Sequence, residues 1–461
     1  MNDRIKDLLT KTPSEKIVVA EGWVRTKRDS KNVCFLELND GSCLKGLQIV
    51  IDKETLKNND ILTKINTGAS VIAKGPIVKS AGGNQAVEMQ SSDITLIGEA
   101  DNDYPLQKKR HSIEYLREIA HLRARTNLIG AVMRVRNTLS FGVHEFFQQN
   151  GFNYVTTPII STSDCEGVGE MFQVTTLDLN NVPKTEEGKV DYSKDFFNKI
   201  ANLTVSGQLE GETYAMALKN IYTFGPTFRA ENSNTKRHLA EFWMIEPEMA
   251  FCDLELDMKV AEDFLKFLFK KVLKECEEDM NFFSKFVEKG VKQSLEAVVN
   301  SPFVHMTYTK AIEILTKNND SFDFPVKWGS DLQTEHERYL TEVYCKSPVI
   351  VTDYPKEIKA FYMKLNDDNK TVRGMDVLVP RLGEIIGGSE READLETLKI
   401  RMKEMDLNEE DYWWYLDLRR YGSVPHAGFG LGFERIVQYV TGVQNIRDVI
   451  PYPRTVGNAE F

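Results

Sequence analysis

Between residues 17 and 100, hydrophobic and polar positions alternate in short runs: IVVAEGWVRTKR, NVCFLELNDGS, LKGLQIVID, SVIAKGPIVKS and AVEMQSSDITLIG, with Gly, Asn and Asp between them. A period of two at this spacing predicts strands of a small closed β-barrel. KETLKNNDILTKI, residues 53–65, interrupts them with the pattern of a helix. The period changes after residue 129. In GAVMRVRNTLSFGVHEFFQQNG, Val132, Val135, Leu139, Val143 and Phe146 or Phe147 share one helical stripe, which Gly151 ends. FNYVTTPIIS predicts a strand interrupted at Pro158; proline cannot donate to a ladder, so this strand belongs at a sheet edge or a subunit interface. Residues 254–285 predict a second long amphipathic helix, and the polar stretch 178–203 an insertion or loop.

A chain of 461 residues exceeds one ordinary core, so two or more domains are expected: 1–100, a hinge over 101–128, and 129–461. The composition, 41% hydrophobic and 28% charged, is that of a soluble globular protein. No run of ~18 apolar residues predicts a membrane span, and MNDRIKDLLTKTPSEK has no apolar signal core, so a cytoplasmic protein is expected. Cys34, Cys43, Cys165, Cys252, Cys276 and Cys345 form no CxxC pair, which argues against a zinc ribbon or a disulfide framework. The net charge of -11 argues against nucleic acid on average. Locally, Lys108, Lys109, Arg110, Arg117, Arg123 and Arg125 crowd the hinge, where they form either a solvated face or a contact for a polyanion.

Three segments carry candidate chemistry. FRAENSNTKRHLAEFWMIE, residues 228–246, predicts an antiparallel hairpin with Arg229, Glu231 and Phe242 around a polar loop. Arg229 can pair bidentately with phosphate oxygens, and Phe242 offers a flat face to a purine. Singly, the plainer readings are a surface ion pair and a core aromatic. HAGFGLGFERIVQYVTG, residues 426–442, places Gly428, Gly430 and Gly432 before a helix opened by Glu434 and Arg435. It lacks a P-loop lysine followed by Ser or Thr, and Arg435 fits better as a group facing the other side of the same purine. MDVLVPRLGEIIGGSERE, residues 375–392, offers Asp376 and Glu384 to Mg²⁺, room at Gly387 and Gly388, and Arg391 to reach a substrate side chain. In the barrel, Phe35 to stack a base and Gln48 to read its edge follow the basic run Arg25, Lys27 and Arg28, a pattern suited to single-stranded RNA.

Together these segments resemble motifs 2 and 3 and the intervening metal strand of class II aminoacyl-tRNA synthetases. QQNGFNYVTTP resembles motif 1, a dimer-forming segment centred here on Pro158, and the barrel resembles the anticodon-binding domain of the aspartyl, asparaginyl and lysyl subgroup. The resemblance covers essentially the whole chain. It implies an α+β protein: an N-terminal OB-fold barrel, then a catalytic domain with an antiparallel sheet flanked by helices, working as a homodimer. It further implies that ATP is the substrate, with Glu231, Arg237, His238, Phe242, Glu384, Gly432 and Glu434 around it, Arg229 and Arg435 as the catalytic charges, and Mg²⁺ with Arg435 on the β and γ phosphates. Glu166 would bind the substrate ammonium, and Ser206 and Gln208 would line the same pocket.

The run TVSGQLEGETY, residues 204–214, bears on which amino acid is activated. Aspartyl enzymes have SPQLYKQ there, whose lysine holds the substrate carboxylate; here Gly211 stands at the lysine position and Glu212 replaces the glutamine. Glu212 can accept from a side-chain amide while Arg391 donates to its oxygen, whereas aspartate would meet like charge. Alignment favours Glu212 over Glu210 in this role. Asparagine and tRNA(Asn) are therefore the expected substrates. The rivals are an aspartyl enzyme of relaxed specificity, a tRNA-independent asparagine synthetase-like paralogue, and a non-catalytic RNA-binding paralogue, which would be expected to lose Arg229 or Arg435.

Overall fold

Alternation in the first unit puts Cys34, Leu36 and Leu38 of the strand Val33–Asn39 inward, with Leu47, Ile49 and Ile51 of Leu47–Asp52. Phe35 and Gln48 are thereby left on the outer face. In the computed structural model, which describes residues 2–461 apart from 57, 83–84, 164 and 166–170, these strands lie between Ser14–Asp29 and Val87–Gln90, followed by Ser70–Lys79 and Asp93–Gly98. Ser14–Asp29 pairs with Ser70–Lys79 as well as with Val33–Asn39, which closes the sheet into a barrel. Closure brings Gly75 against the neighbouring backbone, where a Cβ would lie 1.8 Å from the Gln90 carbonyl oxygen. Only glycine fits there.

Of the helix expected over 53–65, only Ile61–Lys64 forms among the described residues. Asp52 and Asn58 accept from the backbone N–H of Glu54 and Asp60 at 2.9 and 3.2 Å, and Asn59 donates to the Lys53 carbonyl at 2.7 Å. These local bonds compete with the helical ladder and win.

The chain divides into one unit reaching to Arg134, with Phe461, and a second, Val135–Glu460. In the second, eight strands follow in the order Val304–Thr307, Val349–Pro355, Thr371–Val379, Gly383–Glu390, His426–Gly432, Glu241–Ala250, Asn220–Phe228 and Asn153–Tyr154. The outermost pairings are parallel and the rest antiparallel. Pro158 does interrupt its segment: Asn153–Tyr154 ends before it at the sheet edge, and Ile160–Ser161 follows it in a separate small sheet with Gln173–Val174 and Ala201–Leu203. The stripe of the helix Asn127–Gln149 is buried: Val132, Val135, Leu139, Val143 and Phe147 are each 0% exposed, worth ~1.5–3 kcal/mol apiece. The helix expected over 254–285 is two, Leu254–Glu275 and Glu277–Phe286, parted at Cys276. Glu277, Glu278 and Asp279 open the second, where negative charge suits a helix start. Among the described residues no helix is long and apolar enough to cross a membrane.

Candidate active site

The hairpin forms as the sequence suggests: Asn220–Phe228 and Glu241–Ala250 pair in register, Thr227 opposite Phe242, and the Arg229 N–H donates to the Ala240 carbonyl at 3.0 Å. Beyond the last rung the Arg229 guanidinium lies 5.4 Å from the Phe242 ring centre. Both line a cavity of about 230 Å³ with Glu231, Arg237, His238, Met244, Glu384, Gly430, Gly432, Glu434 and Arg435. Its floor is the junction of Glu241–Ala250 with His426–Gly432, where Met244 faces Gly432. A Cβ on Gly430 would come within 2.9 Å of the Met244 side chain. Every residue expected around ATP therefore converges on one cavity. Glu434 differs in its commitments. Its buried carboxylate accepts from Arg136 at 2.7 Å and from the Trp243 N–H at 2.9 Å, so it braces the hairpin against the helix Phe433–Thr441. His238 takes its Nδ1 to the hydroxyls of Ser233 and Thr235 within the loop.

Of the two acids expected to hold Mg²⁺, Glu384 alone lines this cavity, 3.7 Å from Arg435. Asp376 is held by Lys359 at 2.8 and 2.9 Å. Both side chains point toward Gly387, whose Cβ would lie 3.4 Å from Glu384 Oε1 and 3.6 Å from Asp376 Oδ1. The sequence reading missed a third acid. Glu337 accepts from the Glu384 N–H at 3.1 Å, and burial, then the like charge of Glu384, pushes its carboxyl up to about 7. It comes from the helix Thr334–Arg338, a stretch with no patterned signal. The described residues contain no group of three or more His, Cys, Asp or Glu side chains arranged to hold a metal ion.

Behind the hairpin lies a buried polar cluster. Glu212, 0% exposed, accepts from Gln208 Nε2 at 3.1 Å, the Tyr415 hydroxyl at 2.8 and 2.9 Å, Arg419 Nη2 at 3.1 Å, and faces His426 Nε2 at 2.9 Å. Burial opposes its charge, yet Arg419, His426 and Arg391 hold its carboxyl well below the usual range. Its oxygens are thus taken by the protein, which is at odds with the expectation that Glu212 meets a substrate amide directly. Arg391 instead pairs bidentately with Glu248, at 2.5 and 3.2 Å, and donates to Ser389 at 2.8 Å. Burial pushes the Glu248 carboxyl up, against the pull of Arg391. The position without a lysine faces this pair: a Cβ on Gly211 would lie 3.8 Å from Glu248 Cγ. Glu246 accepts from Ser206, from the Gly207 N–H at 3.0 Å and from Thr223 at 2.9 Å. Glu166 lies outside the described residues. A usable signal for Glu246 and Glu248 was present, two acids at alternate positions of a strand that is apolar but for these and its first residue, Glu241. Arg419 and Tyr415 gave none beyond helical spacing.

One further buried acid adjoins this cluster. Both carboxyl oxygens of Asp257 are buried without a hydrogen-bond partner, and burial raises its pKa well above the usual range. A folded-state pKa above the unfolded one gives stability that is complete below the unfolded value and is lost as pH rises toward the folded value. Asp257→Asn, which cannot ionise, should stabilise the protein by about 1–3 kcal/mol at pH 8 and by less at pH 5. Thermal melts at the two pH values test this; equal gains at both would show that Asp257 ionisation is not the cause.

In the barrel, Arg28 lies 5.3 Å from the Phe35 ring centre and donates to Gln48 Oε1 at 3.2 Å, while Gln48 donates to Glu88 at 2.9 Å. Phe35 and Gln48 thus share one outer face with Arg28. Arg25 is elsewhere, donating to Asn39 Oδ1 at 3.4 Å and lining a second cavity with Tyr104, Lys108, Lys109 and Arg125.

The chain belongs to the class II tRNA synthetases: the family described as "tRNA synthetases class II (D, K and N)" matches residues 112–456, preceded by an OB-fold nucleic acid binding domain at 18–97. Within that class it falls among the asparagine–tRNA ligases. It is 61% identical to the asparagine–tRNA ligase of Acetivibrio thermocellus over 98% of this chain and 97% of that one. It is 58% identical to that of Picosynechococcus over 99% and 100%. The crystal structure of asparaginyl-tRNA synthetase from Pyrococcus horikoshii complexed with asparaginyl-adenylate superposes with a TM-score of 0.86 at 32% identity, covering 100% of this chain and 99% of that one. The aspartyl tRNA synthetase of Entamoeba histolytica, at 23% identity and a TM-score of 0.79, shares the fold.

Proposed function

We propose that the protein joins asparagine to tRNA(Asn) in two steps at the cavity bounded by Arg229, Phe242 and Arg435. The asparagine α-carboxylate attacks the α-phosphorus of ATP, giving asparaginyl-adenylate and pyrophosphate; the terminal ribose hydroxyl of tRNA then attacks the activated carbonyl and AMP leaves. The observation that carries this reading is the convergence of Arg229, Phe242, Glu384 and Arg435 on one cavity, with the Arg391–Glu248 pair built on strands of the same sheet. Phe242 stacks the adenine, Arg229 offsets charge at the α-phosphate, and Arg435 serves the remaining phosphates, so positioning and electrostatics supply the catalysis. Arg391 and Glu248 are suited to donate to and accept from a side-chain amide, with Ser206 and Gln208 beside them. For Mg²⁺, the fit rests on geometry: Glu384 lines the cavity and its N–H donates to the Glu337 carboxylate, so these two acids would hold the ion beside ATP. Held there with ATP, Mg²⁺ would supply positive charge against the phosphate oxygens.

Exposed Tyr154, Ile159 and Ile160, which flank Pro158 in the chain, support a homodimer, and the charging of tRNA supports a cytoplasmic location. Pyrophosphate exchange tests the activity: asparagine should support it and aspartate should not, and exchange driven by aspartate would overturn the specificity. For the barrel, Phe35→Ala should weaken tRNA binding by about 1–3 kcal/mol, the scale of one stacked base, and leave exchange unchanged. Equal loss in charging and exchange would indicate a folding defect instead.

A further inference from the structure

Glu212 lies 4.0 Å from Arg391, the group proposed to meet the substrate side chain, and protein donors take its own oxygens. Two helices bring this about. Gln208 and Glu212 lie four residues apart on Gln208–Leu218, and Tyr415 and Arg419 four apart on Trp413–Arg420, so each pair shares one helical face. Arg419 is itself fixed: its Nε donates to the Glu392 carbonyl at 2.8 Å and its Nη2 to the Tyr415 hydroxyl at 2.9 Å. His426 opens the strand His426–Gly432 with its Nδ1 2.9 Å from the Val424 carbonyl. Arg391 lies between two acids, bonded to Glu248 and 4.0 Å from Glu212.

We propose that Tyr415, Arg419 and His426 are positioning residues that act through Glu212 on Arg391, and so set the preference for a side-chain amide over a carboxylate. The inference rests on the reading of Arg391 as the group that meets the substrate side chain. Glu212 partly offsets the Arg391 charge from behind, in a region where water does not screen it. Arg391 therefore keeps its donors but has too little excess charge to hold a second carboxylate. Arg419 keeps Glu212 ionised and in place. Without it, Glu212 would draw Arg391 away from Glu248.

Charge balance separates this role from a merely structural one. Glu212→Gln adds one unit of positive charge to the cluster, Arg419→Gln removes one, and the double variant leaves the sum as in the wild type. Pyrophosphate exchange with asparagine and with aspartate is measured for each full-length enzyme. Glu212→Gln should raise the aspartate-to-asparagine ratio of kcat/KM by about tenfold or more, through a lower KM for aspartate, because one uncompensated buried charge decides such a choice. Arg419→Gln should raise the KM for asparagine without gaining aspartate, and the double variant should return the ratio to within about threefold of the wild type. A double variant that departs further than either single one, or both amino acids falling by one common factor, overturns the proposal. Where a charge variant fails to melt cooperatively, Tyr415→Phe takes its place. It removes the one hydroxyl proton shared between the two Glu212 oxygens without changing charge, and should shift the ratio toward aspartate by about two- to fivefold. An unchanged ratio there overturns the proposal equally. Wild-type enzyme inactive with asparagine would instead overturn the reading of the site itself.

Discussion

Arg229→Ala should lower asparagine-dependent pyrophosphate exchange by at least about 10²–10³-fold, the cost of deleting one donor aimed at developing charge. The fold should survive it. Arg229 lies past the last rung of the hairpin, and its structural backbone bond, N–H to the Ala240 carbonyl, does not depend on the side chain. The guanidinium contact with Phe242 at 5.4 Å is worth ~0.5–1 kcal/mol, a small fraction of a domain's stability. Far-UV circular dichroism and the melting transition should therefore match the wild type while exchange collapses. Because the group acts on charge that grows in the transition state, kcat should fall more than KM for ATP rises. Near-normal exchange would show that the hairpin arginine does not serve the α-phosphate; loss of the melting transition would assign it to folding.

That Arg229 can be picked out at all reflects how local the hairpin is. A strand, a polar loop and a returning strand hold Arg229 and Phe242 together through main-chain pairing, so their spacing in sequence already implies their spacing in space. The barrel strands and the stripe from Val132 to Phe147 are legible for the same reason, since a period of two or 3.6 is a local property. Mismatches arise where side chains bond to nearby backbone, as at Asp52, Asn58 and Asn59, where a helical pattern becomes turns. They arise again where partners come from distant segments. The Lys359 partner of Asp376 is one that no local pattern announces. Glu212 reads as open to substrate, but Tyr415, Arg419 and His426 reach it across sequence separations of 203, 207 and 214. The acids Glu246 and Glu248 sit in plain view on an apolar strand, where burial of charge implies a fixed partner. The partner of Glu248 can be named only from the pairing of strands. Glu248 lies opposite Gly428, and Gly428 in turn lies opposite Ser389, two residues before Arg391.

Arg391→Leu should be the most damaging single change in the proposed amino-acid site, for stability as well as activity. The side chain is 2% exposed and bonded bidentately to Glu248, itself 0% exposed, with Glu212 4.0 Å away. Breaking a buried pair from one side leaves an uncompensated carboxylate, which costs about 3–5 kcal/mol. The loss should depend on pH in a direction the Glu248 shift fixes. Burial already raises its carboxyl, and removing Arg391 takes away the charge that pulls it down. Stability contributed by a raised acid is present at low pH and lost as pH rises through its folded value, about 8 with Arg391 in place, so the deficit of the variant should widen from pH 7 to pH 9. Arg391→Lys separates charge from geometry: an ammonium keeps the charge but cannot make the planar double bond to Glu248. It should recover part of the stability and of its pH dependence while the KM for asparagine stays raised. Urea unfolding at the two pH values, alongside exchange, reads both quantities. A leucine variant as stable as the wild type, or one that keeps a normal KM for asparagine, would remove Arg391 from the centre of the site.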